Sequence, residues 1–280
     1  VIVSDRAARI ATGLGVRSFF STLLLAFGVV GGAGFVSPLR ADEANVFGRH
    51  ERGTAALVGI FYDLKQTQRR EPVPGNGKDY AKSVDEFLVS GFDEALFNRF
   101  FRAGLPLYTT QIATGRLSAD AAPKAFGVEG VVKPRHWVVH YKAQIAAPSD
   151  GTYRFVGAAD DMMAVAINRR VVLVGNHPAT KFPVLAWKPA ADPGPKPAAQ
   201  PGSTYGDWID LRADQPVDID ILIGERPGGV FHALLLYQKK GETYPRNNKG
   251  EIILPLFQVA ELPMDDNRYL TDRPPWRCLE

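Results

Sequence analysis

Between residues 55 and 259 the chain is repeatedly cut into short apolar or alternating runs, each closed by Gly, Pro, Asn or Asp. That punctuation restricts the fold more than any other feature, because it leaves little room for helices and demands many reversals of direction. Ala55–Leu64 (AALVGIFYDL) is apolar and aromatic, and Trp137–Ile145 (WVVHYKAQI) is a long candidate strand. Thr152–Val156 alternates clearly, and Ala164–Ile167 and Val171–Val174 flank Asn168-Arg169-Arg170 in the manner of a hairpin. Trp208–Leu211, Val217–Ile223, Phe231–Tyr237 and Leu254–Val259 bring the set to about ten strands. β-Branched and aromatic residues suit a pleated, half-buried surface, and turn residues bound each run. Many short strands with little helix imply an all-β sandwich or barrel. The 27 glycines and 21 prolines supply the turns that such connectivity needs.

One stretch breaks the pattern. In Ser83–Arg102, Val84, Phe87, Leu88, Phe92, Leu96, Phe97, Phe100 and Phe101 recur three or four residues apart. This spacing predicts two short amphipathic helices split near Gly91 and packed as a cap on one end of the sandwich. Ser83 and Glu86 form a capping-box pair for the first helix.

Before the strands, Arg6, Arg9 and Arg17 precede an uncharged segment, residues 18–39. Positive charge followed by an apolar stretch is the order of a secretory signal, and the segment is also long enough for an uncleaved anchor. Either outcome places the remainder outside the cytoplasmic membrane: periplasmic, at the cell surface or secreted, or held at the inner membrane by residues 18–39. The expected organisation is residues 1–41 as signal or anchor, 42–53 as linker, 54–262 as one β domain and 263–280 as a loosely ordered tail.

Charge and cysteine content remove several function classes. A net charge of +3, with no basic run interleaved with aromatics, is not a nucleic-acid footprint. The single cysteine, Cys278, excludes an intrachain disulfide and a cysteine-based metal site. His136 and His140 are spaced like zinc ligands on a helix, but they flank a strand and lack the accompanying Glu. No Ser lies in a Gly-x-Ser-x-Gly elbow, and no catalytic residues are assigned.

One constellation carries chemistry. Asp160 and Asp161 sit where one candidate strand ends and the next begins. Adjacent carboxylates repel, so their pKa values rise unless a cation or hydrogen-bond donors compensate. A hard cation with oxygen ligands, such as Ca²⁺, is a natural compensator; the alternative is two turn aspartates capping backbone amides. Trp187, Tyr205 and Trp208, near the Pro- and Gly-rich loop at 190–202, are aromatics that could stack on a sugar ring.

Three stretches together resemble the protective-antigen-fourteen (PA14) domain: Leu57–Leu64, Pro148–Val174 (PSDGTYRFVGAADDMMAVAINRRVVLV) and Asp218–Lys240 (DIDILIGERPGGVFHALLLYQKK). The resemblance spans most of the chain after the N-terminal segment. It implies a two-sheet antiparallel β-sandwich, here with a short helical insert. In adhesin members of that family, paired aspartates hold Ca²⁺, which chelates sugar hydroxyls. By match, Asp160 and Asp161 take that place, and Glu225 stands where those members carry an Asn. Met162 and Met163 stand where Gly is frequent. The resemblance therefore implies a non-catalytic extracytoplasmic module. Asp160, Asp161 and Glu225 are its candidate calcium ligands, and those three with Trp208 are its candidate glycan contacts. The alternative is an assembly domain that docks a cell-envelope protein and binds no sugar.

Overall fold

The structure, a computed structural model, describes residues 45–75, 77–178, 185–190, 194–199, 202–262 and 268–279. The segment at 18–39, and with it the signal-or-anchor expectation, lies outside the described residues. Among the described residues no helix is long and apolar enough to cross a membrane.

The elements in chain order are β1 (Leu57–Asp63), α1 (Gly77–Val89), β2 (Phe101–Arg102), β3 (Leu107–Thr109), β4 (Leu117–Ser118), α2 (Ala121–Ala125), β5 (Trp137–Ala146) and β6 (Gly151–Asp160). They continue with β7 (Met162–Ile167), β8 (Arg170–Val174), β9 (Thr204–Tyr205), β10 (Ile209–Leu211), β11 (Val217–Glu225), β12 (Val230–Lys239) and β13 (Arg277–Leu279). One sheet runs β2-β1-β5-β11-β7-β8, with β3 on β1 and β13 on β5; the other runs β10-β6-β12-β4, with β9 on β6. The pairings between these strands are antiparallel. The architecture is the expected two-sheet sandwich. Asn168 and Arg169, both with positive φ (48° and 67°), form the tight β7–β8 turn, the left-handed backbone that two-residue hairpins require.

Because side chains alternate along a strand, each sheet has two faces to cover. The inner faces meet in a core containing Trp137, Val139, Tyr141, Met163, Val165, Ile221 and Ile223 from the first sheet and Tyr153, Phe155, Phe231, Leu235 and Tyr237 from the second. The outer face of the first sheet, with Ile60, Tyr62, Val138, Met162, Ala164 and Leu222, packs under Tyr80, Val84, Phe87 and Leu88 of α1. The outer face of the second sheet, with Val156, Leu234 and Leu236, packs under Tyr244, Ile252, Leu254, Leu256 and Tyr269.

Several expectations are corrected by this layering. The helical insert covers a sheet face rather than an end, because the outer side of β5, β7 and β11 is as apolar as the inner. α1 begins at Gly77, so Ser83 lies inside the helix and caps nothing; Glu86 pairs instead with Arg99 (3.3 Å) and Lys82 (3.8 Å). The chain does break at Gly91 (φ 73°), but only a 3₁₀ turn, Glu94–Phe97, follows, and Phe101–Arg102 pairs with β1 as strand. Leu254–Val259 makes isolated bridges, Leu236 to Leu256 and Gln111 to Gln258, rather than a strand.

The described parts of the expected linker and tail each send aromatic side chains into the core. Phe47 is 1% exposed and packs on Trp137 and Phe231. Trp276 is fully buried among Tyr153, Phe155, Tyr237 and Phe257. β13 then occupies the flank of β5 that β1 leaves open beyond Lys142. Neither segment shows periodicity: Phe47 anchors the first, and Tyr269 and Trp276 the second, without leaving a pattern in the sequence.

Candidate functional site

The β6–β7 connection and the β11–β12 loop meet at one end of the sandwich. Asp160 is the last residue of β6 and Asp161 the residue between strands, and the peptide joining them is cis. Met162 and Met163 follow, and strand alternation sends them to opposite sides, Met162 under the insert and Met163 into the central core. Both are fully buried, so they hold β7 in place and do not wall an opening.

Asp161 is fixed by three backbone contacts. Its N–H donates to the Gly224 carbonyl (3.1 Å), its carbonyl accepts from the His177 N–H (3.0 Å), and its Oδ2 accepts from the Arg226 N–H (2.9 Å). Glu225 ends β11 and is 1% exposed; its Oε1 accepts from the Gly228 N–H (2.8 Å), while its Oε2 is buried with no hydrogen-bond partner. Burial, then the negative charge of Asp161, pushes the Glu225 carboxyl up to about 8. Asp160 is also raised, by burial first and then by Asp161. The three carboxyls named from sequence are therefore brought together, and their mutual repulsion is a property of the fold.

Two histidines join them. His232 lies opposite Asp160 in the β6–β12 register, and both His232 and His177 lie near enough to the Asp160 carboxyl to offset part of its rise. Both histidines are partly exposed, so they form the outer rim, with Asp161 and Glu225 behind. The signal for His232 was present in the strand register once β6 and β12 were paired; His177, just past β8, had none.

Trp208 does not belong here. It immediately precedes β10, whose Ile209 pairs with Tyr153 near the start of β6. Asp160 is at the far end of that strand, roughly 20 Å away at the usual rise per residue. The Trp208 ring instead lies 4.3 Å from the Arg154 guanidinium, which also stacks on Tyr205. At 38% exposure Trp208 is the one large exposed aromatic among the described residues, whereas Trp187 and Tyr205 are buried.

The donor set is of the hard-oxygen kind that calcium prefers, and Glu225 Oε2 is a buried oxygen awaiting a partner. Among the described residues, no group of three or more His, Cys, Asp or Glu is drawn tightly enough to hold an ion as it stands. The cluster is thus open, with the right chemistry and without a closed coordination sphere.

No family model matches the chain, and no curated protein matches it. Among solved structures it is similar to the PA14 sugar-binding domain from an RTX adhesin (16% identity, 69% of this chain and 94% of that one, TM-score 0.42). It is similar also to the PA14 domain of the MpAFP antifreeze protein (15%, 69% and 88%, TM-score 0.40). A third is the epithelial adhesin 6 A domain from Candida glabrata in complex with Galβ1-3GlcNAc (12%, 70% and 84%, TM-score 0.41).

Proposed function

We propose that this chain is a non-catalytic carbohydrate-binding module whose site is the Asp160–Asp161–Glu225 cluster, with His177 and His232 at its mouth and calcium as the bridge to sugar hydroxyls. The observation that carries the reading is the buried Glu225 oxygen without a partner, held beside two further carboxyls. A fold does not gain stability from like charges pressed together; a cation entering the cluster would relieve the repulsion and supply the Lewis acid that orders hydroxyl groups. In that arrangement Glu225 Oε2 and the two aspartates would hold the ion. Arg226 and Gly228 N–H groups keep Asp161 and Glu225 oriented through the bonds already made. The exported placement implied by residues 1–41 is part of the same proposal.

Calorimetric titration with calcium and a glycan array run with and without chelator test it together. The expected outcome is saturable calcium binding that Asp160→Asn abolishes, with array signals lost on chelation. Absence of both calcium binding and array signal would leave the second reading, an assembly domain for a cell-envelope protein. The near-complete burial of Asp161 and Glu225 favours that reading.

A further inference from the structure

A cleft of about 540 Å³ opens on the other side of Tyr80 from the acid cluster, between α1 and the ends of β1 and β5. Its volume is that of a small-ligand site. Leu64, Tyr80 and Phe100 give it an apolar floor, and Lys65, Lys82, Arg99, Arg135 and His136 stand on its walls against the carboxylates of Asp79 and Glu86.

The fate of each charge decides what the cleft can hold. Lys65 is neutralised by Asp63 and donates to the carbonyls of Lys133 (3.2 Å) and Arg135. Arg99 is engaged by Glu86 and by the Ser83 hydroxyl (3.1 Å), and Lys82 lies 3.8 Å from Glu86. Arg135 has no ion-pair or hydrogen-bond acceptor for its guanidinium among the described residues. Beside it His136, in left-handed backbone (φ 52°), stacks on Tyr80 with ring centroids 5.5 Å apart. Burial, then Lys65, Arg135 and Arg226, push its imidazole down to about 4. Of the cations lining the cleft, Arg135 alone makes no ion pair among the described residues. An exposed arginine is ordinarily just solvated. This one stands, unpaired, at the exposed edge of a cleft with an apolar floor and a neighbouring imidazole, which together fit a planar anion on a small cyclic body.

We propose that this cleft binds the carboxylate of an acidic sugar, a uronate, with Arg135 as the carboxylate ligand, His136 as a hydrogen-bond donor and the floor residues against the ring. Arginine presents a planar fork that matches a carboxylate in two parallel hydrogen bonds. The sugar half of the assignment rests on the glycan reading above; the anion half does not. It makes the module selective for acidic glycans at a place separate from the Asp160 rim.

The His136 proton resonance, followed by NMR against pH, tests the proposal with D-glucuronate, D-glucose and acetate as probes. Glucuronate is expected to shift the resonance and raise the His136 titration point toward the ordinary histidine range, because an anion bound at Arg135 adds negative charge beside the imidazole. Glucose is expected to do nothing, and acetate to bind roughly tenfold more weakly or less. Arg135→Gln should weaken the glucuronate response roughly tenfold or more, as loss of a charge-assisted pair does. Asp160→Asn should leave it unchanged, so that failure here and failure of the calcium site read out separately. An unmoved His136, an equal response to acetate, an undiminished response in Arg135→Gln, or loss of the response in Asp160→Asn would each overturn the assignment.

Discussion

Asp220 and Glu225 stand five positions apart on β11 and meet opposite circumstances. An odd separation sends them to opposite faces of the sheet. Asp220 looks outward to His140, whose Nε2 is 2.8 Å from its Oδ1. His140 is 1% exposed, its Nδ1 is 3.4 Å from Glu94 at the start of the 3₁₀ turn, and Lys142 adds a 2.5 Å ion pair to the same Glu94. Phe87 and Phe92 close over the ring. Burial alone would lower the His140 pKa, but Asp220 and Glu94 outweigh it and the net shift is upward. Glu94 is correspondingly held down at about 2, with His140 as the main cause. Glu225, by contrast, has one backbone donor and two carboxyls beside it, Asp161 within hydrogen-bonding reach, and burial and these acids raise it to about 8. A half-buried acid with a buried cationic partner works as a clamp, here fastening the helical insert to the sheet. A buried acid among acids costs stability and has a reason to be kept only if something binds it.

Breaking the clamp should have the largest effect. His140→Ala leaves Asp220 without its cation, leaves Glu94 with Lys142 alone, and opens space under Phe87. The expected loss is about 3–5 kcal/mol, measured by urea denaturation at pH 6. A loss below about 1 kcal/mol would mean that the insert is held by apolar packing alone.

Next is Glu225→Gln, which keeps an acceptor for the Gly228 N–H and removes the repelled charge. It should make the protein roughly 2 kcal/mol more stable than wild type at pH 9 without calcium. A tenfold change in proton affinity is worth about 1.4 kcal/mol, and local relaxation recovers part of the repulsion. Equal stability of the two at pH 9 would show that Glu225 is compensated after all.

The pH profile then separates the clusters. His140 and Glu225 both have folded-state pKa values above their unfolded ones. Their contributions are therefore complete below about pH 6.5 and 4.5 respectively, and are lost as pH rises through the raised value, about 8 for Glu225. Glu94 is depressed, so its contribution is present above about 4.5 and lost as pH falls through about 2. Melting temperature should thus fall at both extremes. His140→Gln should blunt both arms and Glu225→Gln only the alkaline one. Smallest of all, Lys142→Ala removes a half-exposed pair and should cost only about 0.5 kcal/mol by the same denaturation measurement.

The same contrast shows what could be read in the sequence. Strand alternation and turn residues exposed the two sheets, and the adjacency of Asp160 and Asp161 exposed the repulsion. Glu225 required alignment of two loops, which the hairpin resemblance supplied. The His140 clamp was hidden because its members, Glu94, His140, Lys142 and Asp220, come from three separate segments. Trp208 misled for the converse reason: nearness to a loop in sequence says nothing about which end of β6 that loop meets. Phe47 and Trp276 were missed because isolated aromatics in segments without periodicity leave no pattern to detect.

The difference between the two acids rests on the Glu225 carboxyl staying uncompensated until a cation arrives. Carbon-13 NMR of the labelled glutamate side chain, titrated with and without calcium, measures this directly. Titration near pH 8 is expected in metal-free protein, with a shift to below the ordinary glutamate range once calcium is added. Titration near the ordinary value of about 4.3 in both samples would contradict it.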